Sequence, residues 1–399
     1  MVWKRAADFP EGAMGIRFTA VGEPVSRRPT KKASRSKRRA KGELAGSLAA
    51  VLEQLATTAD RMVLTVDGHD LPVTSLDKPL WPGAGRRKGA TKRDLLRYFA
   101  RVSPYLLPHL ADRPIFVTRF PGGVTGKSFF QKHWEPAPPF ARTVSIHSAH
   151  NARDGAYLVC ENLATLLWLG QMAGLELHAW FSRTNPEPDA TGRSRTFTGS
   201  ETALERSILN YPDFIVFDLD PYLYSGKEGR GEEPELHRRA FTRTRGLALH
   251  IRGILEALGL TSFVKTSGRT GLHLYLPIVR ELDFDAARAF AETIARHVQR
   301  ERPGDVTIEW AVRRRTGKIF FDYNQNSRGK SLAVPYSPRR HPAATVSMPI
   351  GWDELEQVYP TDFTLHTVPD RLDARGDVWA GMLDERQDLA EIVGAGSAE

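Results

Sequence analysis

The 399-residue chain contains one cysteine, Cys160. A single thiol excludes an internal disulfide and any cysteine-based zinc cluster. In its apolar surroundings Cys160 reads as a small buried residue. The sequence also lacks an apolar run of bilayer length and a secretory leader, which predicts a cytoplasmic protein. Internal repeats are missing too. Acidic residues are absent from 26–41, where nine basic side chains stand without a carboxylate. That stretch accounts for the formal charge of +9 and leaves the rest near neutral. With no apolar period, it predicts an arm that is disordered alone and suited to DNA phosphates through counterion release. A solubilising linker is the alternative. The expected organisation is a basic arm at 1–43, a short helix at 44–60, a catalytic body at 61–380 and a C-terminal tail at 381–399.

The most informative segment is Ile215-Val216-Phe217-Asp218-Leu219-Asp220-Pro221. Its apolar residues predict a buried strand. Side chains two apart on a strand share a face, so Asp218 and Asp220 emerge together. Adjacent carboxylates repel unless a cation lies between them, and a divalent metal with oxygen ligands answers that need. A second predicted strand, Lys318-Ile319-Phe320-Phe321-Asp322-Tyr323, supplies a third carboxylate at Asp322. Three acids on two apolar strands suit a pair of Mg²⁺ or Mn²⁺ ions in phosphoryl chemistry. A turn, a calcium loop or a capping Asp is the alternative for Asp218 and Asp220 alone.

Strand-like alternation starts near residue 61 and turns at Asp67-Gly68. Thr91 is the expected N-cap of an amphipathic helix running to about Leu107. The Leu-rich stretch 157–175 predicts one buried helix. Residues 183–212 and 222–235 read as surface loops. Helices at 236–258 and 284–301 bracket strands at 261–266 and 272–278. This mixture predicts an α+β core around a mainly antiparallel sheet flanked by helices.

Between two of those strands lies Ser267-Gly268-Arg269-Thr270-Gly271-Leu272-His273. Gly268 and Gly271 would let backbone N–H groups approach an anion, and Ser267, Arg269 and Thr270 add donors. A plain hairpin is the other reading. Arg313-Arg314-Arg315-Thr316-Gly317-Lys318 precedes the Asp322 strand, and Gln325, Lys330 and Arg339 follow it. Cations around a carboxylate strand fit phosphate binding, although any one of them alone also fits a solvated rim.

Together, Asp-x-Asp, Ser-Gly-x-x-Gly-x-His and Asp-Tyr-x-Gln-Asn resemble the three motifs of the archaeo-eukaryotic primase superfamily. More closely, the chain resembles the polymerase domain of the bacterial non-homologous end-joining ligase D family, over roughly residues 61–370. Leu76-Asp77-Lys78-Pro79-Leu80-Trp81-Pro82, Thr91-Lys92, Arg113-Pro114, Phe129-Phe130-Gln131-Lys132 and Val334-Pro335-Tyr336-Ser337 strengthen the likeness.

The resemblance implies a primase-like fold and template-dependent nucleotide addition with two metal ions, Mn²⁺ or Mg²⁺. Asp218, Asp220 and Asp322 would bind those ions. His178, Ser267, Arg269, Thr270, His273, Arg315, Lys318, Gln325, Lys330 and Arg339 would lie in or beside the nucleotide site. Lys78 and Lys92 would grip a 5′-phosphate across a gap, and Phe129 and Phe130 would stack on DNA. The implied partners are gapped or broken double-stranded DNA, NTP or dNTP, and a separate ligase and end-binding protein. The resemblance also implies short gap filling with a ribonucleotide preference. Thr270 stands where the family commonly has Lys, and the spacing from Lys78 to Lys92 is expanded. The expected form is a stand-alone enzyme. De novo priming and a non-catalytic end-bridging clamp are the competing functions.

Overall fold

The computed structural model describes residues 48–148, 152–222 and 237–390, together with Gly46 and Ile392. The basic stretch at 26–41 and nearly all of the loop expected at 222–235 lie outside these residues. A short helix, α1 (48–54), leads into the hairpin β1 (Met62–Val66) and β2 (His69–Val73). The strands β3 (Pro79–Trp81) and β4 (Ala90–Thr91) then pair antiparallel. Helix α2 (Lys92–Leu110) begins at Thr91, where Thr91 and Asp94 form a reciprocal capping box. Such a cap contributes about 1 kcal/mol, and it fixes where Lys92 enters the helix.

Two six-stranded sheets follow, where one was expected. The first contains β5 (Ile115–Arg119), β6 (Phe129–Gln131), β7 (Arg142–Ser148), β8 (Arg153–Val159), β9 (Gly174–Trp180) and, later in the chain, β15 (Ser331–Ala333). Its order is β15-β9-β5-β8-β7, with β6 on β5. The stretch 157–175 is therefore three elements: the end of β8, helix α3 (Leu163–Gln171) and the start of β9. All three are buried, so their apolar residues run together without a period that separates strand from helix. Asn162 caps α3 by accepting from the Thr165 N–H, and this cap marks the break.

The polar stretch 183–212 is mostly loop, with a short helix α4 (Glu201–Glu205) and a 3-10 turn at Ile208–Asn210. The second sheet has the order β13-β14-β10-β12-β11-β16. Its members are β10 (Phe214–Tyr222), β11 (Phe263–Thr266), β12 (Leu272–Pro277), β13 (Val306–Thr307), β14 (Lys318–Asp322) and β16 (Pro349–Ile350). Its pairings are antiparallel except β13 with β14.

Helices α5 (Arg238–Ala257) and α6 (Phe284–Glu301) pack on β10. On α6, Ala287, Phe290, Ala291, Ile294 and Val298 recur at helical spacing and are buried. They join Ile215, Phe217 and Leu219 of β10 in the main core. The alternate residues of β10 are Val216, Asp218 and Asp220, so the face away from this core carries the acids.

A last helix, α7 (Val368–Arg375), precedes a segment expected to be a tail. Residues 381–390 instead join the body: Met382 and Leu389 are buried, and Gln387 bonds to the Thr261 and Pro277 carbonyls. No helix among the described residues is long and apolar enough to cross a membrane.

Candidate active site

Strand register creates the site. Lys265 stands opposite His273, His273 opposite Asp218, and Asp218 opposite Asp322. One row thus crosses four adjacent strands, and Asp220 sits one step along β10 on the same face. Asp218, His273 and Lys265 are almost fully buried. Lys265 Nζ lies 2.8 Å from His273 Nδ1 and 2.5 Å from Ser347 Oγ. A Lys265 Nζ–H donated to Nδ1 would leave the imidazole proton on Nε2, which faces Asp218 Oδ1 at 3.4 Å. That oxygen has no hydrogen-bond partner among the described residues.

The charges are held against their preferences. Burial pushes the Asp218 carboxyl well above the usual carboxylate range, and Asp220 and Asp322 push it further. Burial likewise raises Asp322, against the pull of the Asn324 N–H, Arg315, Lys330 and Gln325. Burial lowers Lys265 and His273 well below their ordinary values, helped by the nearby Arg339 guanidinium. Gln325 Nε2 spans the acids, donating to Asp218 Oδ2 at 3.4 Å and Asp322 Oδ2 at 3.2 Å.

No finished ligand shell of three His, Cys, Asp or Glu groups exists among the described residues. Asp322 accepts from the Asn324 N–H and from Gln325 Nε2. The donor set still fits a hard divalent cation, because it is all oxygen, mutually repulsive and contains an orphaned buried carboxylate oxygen.

The cleft above this row is lined by His178, Asp218, Asp220, Pro221, Tyr222, Ser267, Arg269, Thr270, His273, Gln325, Ser331, Leu332, Ala333 and Arg339. It draws residues from both sheets, because β15 pairs with β9 opposite Ala333 and His178. Seven of the ten expected nucleotide-site residues line the cleft, and Lys330 and Arg315 act electrostatically on Asp322. Arg315 and Lys318 are not among the residues lining the cleft. Arg315 donates to the Glu309 and Trp310 carbonyls and to Tyr222, and its guanidinium lies 3.4 Å over the Phe320 ring. Lys318 donates to the Pro303 carbonyl.

The glycine-rich loop departs from expectation. Ser267 Oγ accepts from the Gly271 and Arg269 N–H groups, so those two N–H groups are already used by the loop itself. Its glycines serve close packing. A Cβ on Gly271 would stand 2.3 Å from the Leu219 carbonyl oxygen, and one on Gly268 would stand 2.6 Å from Arg339 Cγ. The loop therefore presses onto β10 and Arg339, and side chains face the cleft.

Two residues escaped the sequence reading. Lys265 was visible as a lone cation in an apolar strand, two residues before Ser267. Glu176 had no signal in sequence. It is buried, pairs with Arg339 Nε at 3.2 Å and accepts from the Arg340 N–H at 2.8 Å. Arg339, His178 and the Arg340 N–H hold its carboxyl well below the ordinary range against burial, and it anchors Arg339 in the cleft wall.

The proposed DNA contacts fall into two groups. Lys92 N–H donates to the Lys78 carbonyl, so these lysines are neighbours across β3 and β4. Lys78 is exposed, whereas Lys92 is buried and donates to the Thr74 carbonyl at 2.9 Å. Burial lowers the Lys92 pKa, and Lys78 lowers it further. A Phe-Phe pair is ordinarily core, yet Phe129 and Phe130 are 57% and 53% exposed. The Phe130 ring lies 6.2 Å from that of His178, which links it to the cleft.

Residues 91–379 match the family described as LigD, primase-polymerase domain. The bifunctional non-homologous end joining protein LigD of Bacillus subtilis is 32% identical over 309 residues, which cover 77% of this chain and 43% of that protein. The multifunctional non-homologous end joining DNA repair protein LigD of Mycobacterium tuberculosis is 32% identical over 307 residues, 77% of this chain and 36% of that protein. The chain thus spans less than half the length of these curated relatives. Among solved structures, the polymerase domain of M. tuberculosis ligase D in complex with DNA superposes with a TM-score of 0.65 at 29% identity. That match covers 79% of this chain and 99% of the other.

Proposed function

The chain belongs to the LigD primase-polymerase domain family, a family of metal-dependent nucleotidyltransferases, and on that premise we propose that it fills short gaps or extends broken ends during DNA repair by end joining. The observation that carries this reading is the row Lys265–His273–Asp218–Asp322 beneath a cleft walled by Arg269, His178 and Arg339.

In this reading Asp218, Asp220 and Asp322 hold two divalent ions, Mn²⁺ or Mg²⁺. Such ions, when bound, supply Lewis acidity toward an attacking hydroxyl and the phosphates. The protein's own groups do the rest. Arg339 and Arg269 place positive charge where a triphosphate would lie, and stabilise negative charge that builds on it during transfer. Ser267 and Thr270 add hydroxyl donors from the loop. His178 borders the sugar of the incoming nucleotide, and Gln325 keeps Asp218 and Asp322 in register. Lys330 adds charge at the rim.

Phe129 and Phe130 offer their exposed rings to bases opened at a break, where each stacked base contributes about 1–3 kcal/mol. Lys78 and Lys92 receive a 5′-phosphate. The basic stretch at 26–41 adds contacts to the DNA backbone. A ribonucleotide preference, and work on chromosomal DNA in the cytoplasm beside a separate ligase and end-binding protein, complete the proposal.

The test is primer extension across a short gap, with and without a downstream 5′-phosphate, comparing NTP with dNTP and Mn²⁺ with Mg²⁺. The expected result is metal-dependent addition of a few nucleotides, stimulated by the phosphate. Binding to DNA ends without any addition would turn the reading toward a clamp.

A further inference from the structure

Five large apolar side chains are more than half exposed among the described residues: Val63, Phe129, Phe130, Trp310 and Val312. Phe129 and Phe130 already have a role in the reading above. Trp310 has none, although it is the most exposed of the five at 66%. A single exposed apolar side chain is ordinary, so the surroundings of Trp310 decide whether it has a role.

Trp310 is firmly held. Arg315 donates to its carbonyl at 2.6 Å and to the neighbouring Glu309 carbonyl at 2.9 Å. The same guanidinium donates to Tyr222 Oη at 3.0 Å and stacks on Phe320. The indole itself meets the Phe320 ring edge-on, with centroids 6.4 Å apart. Phe320 stands directly opposite Asp220 in the β10–β14 register. Tyr222 lines the cleft. Trp310, Arg315, Phe320 and Tyr222 therefore form one rigid block beside the catalytic acids.

Topology says which side of the acids this block occupies. The order β13-β14-β10-β12-β11 puts β14 and β13 on one flank of β10. The Ser267–Gly271 loop joins β11 to β12 on the other flank. In phosphoryl transfer the attacking and leaving oxygens lie roughly in line, on opposite sides of the phosphorus. If the loop and Arg339 take the leaving pyrophosphate, the attacking 3′-hydroxyl enters from the β14 flank. Trp310 stands there, followed by the exposed Arg313 and Arg314; Arg314 also pairs with Glu309 at 3.3 Å.

We propose that Trp310 is the platform for the primer strand, its exposed indole stacking on the 3′-terminal nucleotide while Arg313 and Arg314 contact the phosphates behind it. This rests on the polymerase reading and adds the positioning residue for its attacking strand. The occupant is nucleic acid because an aromatic ring flanked by arginines matches stacked bases and their phosphates together.

The test compares wild type with Trp310→Ala and Trp310→Phe. Affinity is measured for a primer–template and for the same template without primer, with 2-aminopurine at the primer 3′ end reporting stacking. Trp310→Ala should weaken primer–template binding about five- to a hundredfold and abolish the quenching. Its unprimed template affinity, KM for nucleotide and melting temperature should stay at wild-type values. Trp310→Phe should keep most of the quenching. Equal affinities and equal quenching for Trp310→Ala and wild type overturn the inference, as does a change confined to oligomeric mass. A wild-type protein that extends no primer overturns the polymerase reading and this inference with it. Extension by wild type matched by Trp310→Ala at every primer concentration overturns the inference alone.

Discussion

Asp218 and Asp322 stand directly opposite one another on antiparallel β10 and β14. Residues 104 positions apart in the chain thereby become cross-strand neighbours, with Gln325 donating to both. Like charges placed so are destabilising, and burial makes the placement worse. The arrangement makes sense where a cation relieves it, and that tension yields the first prediction.

Replacing Asp218 with Asn should abolish nucleotide addition and raise the thermal midpoint of metal-free protein slightly. The substitution removes a buried repulsive carboxyl, and relief of about 1 kcal/mol moves a chain of this size by about 1–2 °C. DNA affinity should be unchanged. Calorimetry in chelator, set beside primer extension, checks both halves, and a lowered midpoint would mean that the carboxylate is stabilising where it sits.

Lys265 acts through His273. Lys265→Met should leave Nδ1 of that ring without its donor and free the tautomer to switch, which weakens the Nε2–H presented to Asp218. Loss of such an orienting partner typically costs about 10- to 100-fold in metal affinity or activity. Metal titration and kcat are expected to fall together while Kd for DNA holds. Normal values for both would reduce the Lys265–His273 contact to packing.

The two lysines at β3 and β4 should behave unequally. Lys78 is exposed, so Lys78→Ala should remove only the advantage of a 5′-phosphorylated gap. A charge-assisted contact of about 1.5–3 kcal/mol corresponds to a loss of roughly tenfold or more. Lys92→Ala also leaves the Thr74 carbonyl without its 2.9 Å donor and should lower stability by about 1–3 kcal/mol. Binding assays with phosphorylated and hydroxyl-ended gaps, paired with denaturant melts, separate these effects. Equal losses on both ends would indicate general electrostatics.

Acid sensitivity should reside partly in His109, whose ring is buried against Tyr336 and Trp379. Burial, with Arg113 and Lys265 nearby, pushes its pKa down to about 3. Between that value and the ordinary 6.5 the unfolded chain binds a proton that the folded chain refuses. Stability is therefore full above about pH 6.5 and falls as the pH drops toward 3, by about 2 kcal/mol between pH 7 and 5. His109→Leu should flatten that part of the profile. Urea melts across this range decide it, and parallel slopes for the two proteins would clear His109 of the effect.

Much of this molecule was legible from local pattern. Asp218 and Asp220 share a face because strands have a period of two. Thr91 caps its helix because its hydroxyl is placed to accept from Asp94. The strands and helices from 238 onward follow their apolar spacing. Legibility failed where burial was complete on every side, as in 157–175, since an element wrapped in apolar neighbours shows no period. Local pattern also does not say which atoms a cation meets: Arg315 donates to Tyr222 and two backbone carbonyls beside the cleft.

The sequence by itself determined which chemical groups this protein brings to bear, because strand period, capping and motif spacing act over a few residues. It supplied the three acids, the glycine loop and the cations near them. Only the tertiary structure decided which of these meet. Strand register set Lys265, His273, Asp218 and Asp322 in one row, and the pairing of β15 with β9 brought His178 to the same cleft. Folding likewise left Phe129, Phe130 and Trp310 in solvent. These outcomes depend on contacts between segments far apart in the chain, and no local pattern encodes them.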